Sequence, residues 1–475
     1  MYQRTLLLAL IPCAMPISAA AAEAGDVIKF VDSRYEQTSA LARDLWEFAE
    51  VGYQEVKSST LIKETLDAEG FEIESGIAGI PTAFVATFGS TGPIIGILAE
   101  YDALPGINQD DVPTRSPIEG KLAGQACGHN LFGAGSVGAA IAVKHWLEET
   151  GTPGVIRLYG TPAEEGGSGK VYLVREGLFD DVDVAIHWHA DDENWAGARG
   201  SLANRSAKFR FHGLSAHAAG APHKARSALD GVEAFNYMAN LMREHVPQET
   251  RIHYVITSGG NAPNVVPDFA EVFYYLRHPD AEQVKELWVR LEQAALGAAK
   301  GTGVDVDWEI IHGNHPLLIN ETLAKMMHEK LNAVGGIEYN EREKAFAREL
   351  HTSLISPQFP LGSQADVQPY SVKLGYGSTD VGDVSMTVPT VGLRVATWVP
   401  GTSAHSWQAV AASGTSIGFK GAQVAAKTMA LAAIELFENP QLRAEARAEF
   451  EARRGENFHY EAMLGDRSPP LDYRN

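Results

Sequence analysis

Four short segments carry side chains able to hold a metal ion or move a proton: Glu100-Tyr-Asp102, Cys127-Gly-His129-Asn130, Glu164-Glu165-Gly-Gly and His187-Trp-His189. Thiolate, imidazole and carboxylate together are the donor set of a borderline-soft divalent cation. Singly, each segment says little, because Cys-x-His arises by chance and adjacent glutamates usually form a solvated face. Glu164-Glu165, however, follows an apolar run and precedes glycines, which places at least one of the pair at a sheet edge. Two other chemistries fit less well. Gly167-Ser-Gly-Lys170 hints at a phosphate loop, but that loop requires glycine where Glu164 stands and Ser or Thr where Val171 stands. Cys127 and His129 as a nucleophile and base are only two residues apart, a spacing that seldom gives attack geometry and that suits ligation of one ion better.

The elements that must position these groups follow from the apolar pattern. Runs at 84–88, 94–98, 155–159 and 182–189 predict strands, the second of them buried, and helical spacing over 26–70, 130–149 and 169–176 alternates with them. Such alternation predicts a mostly parallel sheet covered on both faces. All four segments then fall at carboxyl ends of strands, where open α/β sheets bind their ligands. The pattern changes near residue 205: strand 207–211, helix 225–244, strands 251–257 and 270–277, helix 281–299, strand 304–311. That β-α-β-β-α-β order is a ferredoxin-like unit. The α/β pattern resumes with a helix at 321–333, a strand at 390–395 and a long helix at 415–438, while 338–374 gives mixed signals and no assignment. The expected architecture is a discontinuous α/β catalytic domain over 23–204 and 313–475, with a ferredoxin-like satellite domain inserted at 205–312.

Composition bounds the function. The 475 residues hold 39 basic and 60 acidic side chains, a net charge of −21, which argues against a nucleic-acid binder. With 45% apolar and 21% charged residues, the chain is an ordinary globular mixture long enough for more than one domain. Arg4, the apolar run 6–17 and the alanine-rich exit near Ala22 read as a secretory signal over 1–22. About 12 apolar residues are too few to span a bilayer, so the expectation is a soluble exported protein without stable membrane insertion, periplasmic in a Gram-negative host. Cys13 leaves with the signal, and Cys127 remains as a lone thiol with no internal disulfide. Use as a ligand explains its presence in an oxidising compartment better than inert packing does.

The motifs Ala-Glu-Tyr-Asp-Ala-Leu-Pro-Gly, Ala-Cys-Gly-His-Asn, Pro-Ala-Glu-Glu-Gly-Gly-Ser-Gly-Lys and Ala-Ile-His-Trp-His occur in that order. Ser-Ala-His217-Ala-Ala, Asn-Ala-Pro-Asn264-Val-Val-Pro, Ser-Thr-Asp-Val-Gly-Asp-Val-Ser and Thr-Ser-Ala-His405-Ser-Trp-Gln follow. This combination resembles the M20 metallopeptidase/amidohydrolase family, in its aminobenzoyl-glutamate hydrolase-like branch, over nearly all of the mature chain. The resemblance implies a two-metal centre held by Cys127, His129, Glu165, His189 and His405, with Glu164 as general base. It implies that His217, on the satellite domain, reaches the site of a partner subunit and stabilises the oxyanion, so a homodimer is expected. It assigns Asn264 and Arg277 to the substrate's carboxylate end, and places Asp102, and with less force Asp380 and Asp383, behind the metals. Many relatives carry aspartate where this chain has Asn130.

The chemistry supports that assignment. A bound dication lowers the pKa of water from 15.7 towards about 7, and Glu164 can take its proton and later pass it to the leaving amine. His187 and His189 share a strand face; one ligand suffices, the resemblance selects His189, and His187 is expected to pack or support. Arg277 ends an apolar and aromatic strand, where a guanidinium needs an anion, either a substrate carboxylate or a structural ion pair. The expected activity is hydrolysis of an amide beside an amino acid with a free carboxylate: an N-acyl amino acid, a dipeptide or an aminobenzoyl-glutamate-like conjugate. Zinc is favoured by the thiolate, with manganese as competitor. A non-catalytic metal-dependent solute-binding protein on the same scaffold is the alternative, against which the intact Glu164 argues; a cysteine hydrolase using Cys127 is a second rival.

Overall fold

Short runs of Val, Ile and Leu build the centre of the larger sheet. The computed structural model describes residues 17–474, so the charge and most of the apolar run of the expected leader lie outside the described residues. Ile94–Ala99 sits between Val155–Gly160 and Val184–Asp191, parallel to both, and Thr390–Ala396 extends the parallel set. At the other side Phe84–Phe88 and then Glu72–Ser75 add antiparallel strands, giving six in all. All but the first residue of Ile94–Ala99 are buried, as expected for a strand covered on both faces.

Helices His129–Thr150 and Ser416–Glu438 pack on each other and on this sheet. Their closeness depends on small residues. A Cβ on Gly135 would stand 3.0 Å from the Trp188 ring and 3.1 Å from the Ala422 carbonyl. The expected helical stretch at 26–70 is three helices, Ile17–Ser33, Tyr35–Phe48 and Val56–Ala68. Left-handed residues Ala49 and Tyr53 make the break before the third.

The second unit has its own core. Ala203–His212, Arg251–Ser258, Phe269–His278 and Asp305–Asn314 form an antiparallel sheet, with Ala203–His212 and Phe269–His278 central. Helices Ala228–Met242 and Ala281–Thr302 pack on each other and on those central strands. Phe209, Phe235, Tyr274 and Trp288 centre a cluster distinct from that of the larger sheet. The strands run two residues beyond the expected 205–312 at each end.

Two regions hold structure that the apolar pattern did not reveal. Within 338–374, Glu341–His351 is a helix with a reciprocal cap between Asn340 and Glu343, and Val372–Leu374 pairs in parallel with Ala198–Gly200. After Ser416–Glu438, Asn439 caps a further helix, Pro440–Arg454. The segment 455–474 then returns across both units: Met463 is buried in the smaller core, while Ala462 and Leu464 join the larger one. Among the described residues, no helix is long and apolar enough to cross a membrane.

Candidate metal centre

Each donor is delivered by a strand end or a tight turn. Cys127 and His129 flank Gly128, whose φ of 71° starts the helix His129–Thr150; a Cβ there would lie 2.5 Å from that of Ala190. Only glycine lets the chain turn in that space. Glu164 and Glu165 follow Val155–Gly160 in a turn where Ala163 (φ 59°) and Ser168 (φ 57°) are left-handed, a region that non-glycine residues rarely enter. His189 lies near the end of Val184–Asp191. His405, also left-handed at φ 58°, is tied down by its backbone N–H, which donates to the Ala126 carbonyl at 2.9 Å.

These elements bring together all five residues expected to hold metal. Donor atoms of Cys127, His129 and His189 lie within 4.8 Å of one another, as do those of Cys127, Glu165 and His405. The thiol belongs to both groups, so one side chain could serve either of two ion positions. Cys127 Sγ is 3.4 Å from His189 Nε2, and His405 Nε2 is 3.3 Å from Glu165 Oε1. Glu100, His129 and Glu164 form a third such group, with His129 Nε2 3.1 Å from Glu100 Oε2. His129 Nε2, Glu100 Oε2 and Glu165 Oε1 are all buried without a hydrogen-bond partner. Buried polar atoms are rarely left so, and three of them within linked groups of possible metal donors fit a cation.

The electrostatics point the same way. Burial, then the Glu100 and Glu165 charges, pushes the Glu164 carboxyl well above the ordinary carboxylate range. Burial, with Glu165 beside it, likewise pushes the Cys127 thiol up, so a thiolate there calls for added positive charge. Burial favours neutral His129, yet Cys127, Asp102 and Glu100 outweigh it and raise its pKa well above the usual imidazole value. Burial, followed by Arg394 and His129, holds His189 well below that value and leaves its ring a free electron-pair donor. An anionic cluster that would protonate one of its own imidazoles is a site for a dication.

Supporting contacts orient the donors. Asp102 Oδ1 is 2.9 Å from His129 Nδ1, and Asp102 Oδ2 accepts the Glu165 N–H at 2.9 Å. His189 Nδ1 lies 2.7 Å from the Ala190 carbonyl, leaving Nε2 toward Cys127. Lys170, fully buried, sits 2.6 Å from Glu100 and 2.7 Å from Asp380. Asp380 therefore acts on the cluster through Lys170, whereas Asp383 is turned away and accepts from His315 N–H and the Tyr460 hydroxyl. Asn130 ties the carbonyls of Ala42 and Ser413 together and gives no carboxylate to the site. His187 packs over Gly392, and burial holds its pKa down to about 3.

A cavity of about 430 Å³ opens beside the cluster, lined by Cys127, Glu164, Glu165, His189 and His405 together with Arg277 from the smaller unit. Arg277 Nε is buried without a hydrogen-bond partner, and no carboxylate among the described ion pairs faces this side chain. His217 and Asn264 are not brought to this cavity. They lie beside each other on the exposed surface of the smaller unit, where Ala218 N–H donates to the Asn264 carbonyl at 3.0 Å. His217 Nδ1 accepts the N–H groups of Ala219 and Gly220 at 3.2 Å, which leaves Nε2 as the protonated nitrogen facing outward.

Four residues contribute to the site in ways that the sequence motifs do not assign. Glu100 stands in a motif already singled out, and Lys170 in the very Gly-Ser-Gly-Lys dismissed as a phosphate loop. The other two are Tyr473 and Arg474, which contact Glu165 from 308 and 309 residues away with no local signal.

Known proteins resemble this chain over most of its length. Residues 96–351 match the peptidase family M20/M25/M40. The chain is 38% identical over 460 residues to one of the subunits of the p-aminobenzoyl-glutamate hydrolase of Escherichia coli, covering 89% of this chain and 95% of that one. It is 29% identical over 438 residues to Xaa-Arg dipeptidase of Mus musculus, covering 89% and 91%. Its fold is similar to that of a solved dinuclear metal-binding peptidase of the M20 family from Bacillus subtilis, with a TM-score of 0.57 at 18% identity, over 86% and 99% of the two chains.

Proposed function

The chain belongs to the peptidase family M20/M25/M40 and is a metal-binding hydrolase of amide bonds, and we propose that it cleaves the amide next to an amino acid bearing a free carboxylate, with Glu164 as general base. The observation that carries this reading is the Cys127 thiol, common to two donor groups, beside the half-buried Glu164. Two divalent cations, zinc or manganese, held by Cys127, His129, Glu165, His189 and His405 would lower the pKa of a water and polarise the substrate carbonyl. Zinc is favoured by the thiolate.

Glu164 takes a proton from the attacking water and returns it to the departing amine. Its raised pKa suits a group that must hold that proton between the two steps. Arg277, stacked over the Tyr275 ring and facing the cavity without an ion-pair partner among the described residues, binds the substrate carboxylate in bidentate fashion. His217 and Asn264, exposed and outside the cavity of their own chain, act on the site of a second subunit. His217 Nε2–H is the donor for the oxyanion. The assembly is a homodimer through the smaller unit, whose β-α-β-β-α-β order and central strands Ala203–His212 and Phe269–His278 support a ferredoxin-like satellite domain at 205–312. The substrates are aminobenzoyl-glutamate-like conjugates, N-acyl amino acids or dipeptides, met outside the cytoplasm after removal of the leader.

The test is mass-spectrometric detection of products after the metal-loaded protein meets a mixed library of these amides. Release of free amino acids that stops on chelation supports the reading. Turnover that survives a chelator and dies on alkylation of Cys127 would replace it with cysteine chemistry.

A further inference from the structure

The segment 455–474 leaves the helix Pro440–Arg454 and is fastened to both units before it reaches the site. Arg205, on a strand of the smaller unit, donates to the Met463 carbonyl at 2.7 Å. Arg175 donates to the carbonyls of Gly465 at 3.0 Å and Arg467 at 2.9 Å. Arg467 in turn reaches the Ile310 carbonyl and the Glu309 carboxylate. Gln54 Nε2 holds the Leu471 carbonyl at 2.8 Å. The Tyr473 ring then packs edge-on against Tyr53, with centroids 5.6 Å apart.

What the segment does at its end is specific. The Tyr473 hydroxyl donates to the backbone carbonyl of Glu165 at 3.1 Å, and Arg474 Nη2 donates to the same oxygen. That carbonyl sits in the turn whose residues Ala163, Gly166 and Ser168 all have positive φ. A backbone of this kind persists only where surrounding contacts over-determine it. Other contacts grip the same turn: Glu55 takes the Ala163 N–H at 2.8 Å, Asp102 takes the Glu165 N–H, and the Tyr53 hydroxyl donates to the Gly167 carbonyl at 2.7 Å. Tyr473 and Arg474 are what fix the peptide plane between Glu165 and Gly166.

Resting on the reading of Glu164 as proton carrier and Glu165 as metal donor, we propose that Tyr473 and Arg474 are positioning residues for the reaction: by holding the Glu165 carbonyl, the strap 455–474 sets the directions in which both carboxylates leave the turn. Neither residue needs to touch the reacting atoms. Arg474 Nη2 and the Tyr473 hydroxyl converge on one oxygen, so each can partly cover for loss of the other.

The test uses the full chain carrying Tyr473→Phe together with Arg474→Ala, with Arg474→Lys and Tyr473→Phe alone as milder variants should the double one fold poorly. Hydrogen exchange of the metal-free protein reads the turn directly, and amides at 164–168 exchange about tenfold faster or more in the double variant, while Val155–Gly160 is unchanged. In the metal-loaded protein kcat falls by about tenfold or more with KM moved less than about twofold, and Arg474→Lys recovers part of the loss. Unchanged exchange at the turn, or a loosened turn with unchanged kcat, overturns the proposal. Wild-type protein inert toward every amide, with a turn that still loosens in the variant, leaves the strap's hold on the turn standing and removes the catalytic reading instead.

Discussion

Asp102 lies 2.9 Å from His129 Nδ1 through one carboxylate oxygen, and with the other it accepts the Glu165 N–H. One buried side chain therefore fixes the tautomer of one metal donor and the backbone of another. An amide in its place can accept at only one of its two ends. Asp102→Asn is expected to weaken metal binding by about 10–100-fold, read by competition with a chromophoric chelator. An unchanged affinity would show that the Asp102 backbone carbonyl, 3.1 Å from His129 Nδ1, suffices to orient the ring without the carboxylate.

Glu164 separates binding from chemistry. It is half-buried, beside Glu100 and Glu165, and belongs to a donor group of its own with Glu100 and His129. Glu164→Gln keeps the shape and removes the proton carrier, so kcat is expected to fall by about 10²–10⁴-fold with two metals still bound by elemental analysis. Turnover at the wild-type rate would assign the proton transfer elsewhere.

The parts legible in the sequence were those with local signals. Alternation of apolar runs placed the parallel strands, the motifs at their ends held Cys127, His129, Glu165 and His189, and the family resemblance added His405 and selected these five as the metal donors. What stayed hidden depends on distant partners. Lys170 looks like part of a glycine-rich loop until its ammonium is seen between Glu100 and Asp380. The capped helix Glu341–His351 has an amphipathic pattern diluted by charge, with Glu343 spent on its own cap, Ser416 and Lys420. The strap 455–474 has no periodicity, because its residues answer to scattered neighbours such as Arg205, Arg175, Gln54 and the Glu165 carbonyl.

Arg277 is expected to govern recognition and not rate. Its guanidinium faces the cavity without a carboxylate partner, and burial lowers its pKa, the mark of a cation held ready for an anion. Hydrogen bonds to charged groups contribute about 1.5–3 kcal/mol, so Arg277→Ala should lower kcat/KM by roughly 10–100-fold, chiefly through KM. Amidation of the substrate carboxylate should cost the wild type a similar factor and the variant almost nothing. A variant that still discriminates the two substrates would move carboxylate recognition to another residue.

Glu55 gives a stability prediction with a definite sign. Its carboxyl is fully buried, accepting from the Thr82 hydroxyl at 3.0 Å and the Ala163 N–H at 2.8 Å. Burial, then the negative charge of Asp102, pushes its pKa from the ordinary 4.5 up to about 8. The folded protein thus keeps a proton that the unfolded chain releases, and folding is linked to proton uptake. The stability this proton contributes is complete below about pH 4.5 and is lost as pH rises through about 8. Glu55→Gln cannot ionise, yet its carbonyl can accept from Ala163 N–H and its amide can donate to a rotated Thr82 hydroxyl. Melting temperatures of the two proteins should therefore converge at low pH on a constant offset, and the variant should gain on the wild type steadily from pH 5 to 8. Parallel curves across that window would mean that Glu55 is ionised in the fold, with its charge met by a group other than Thr82 and the Ala163 amide.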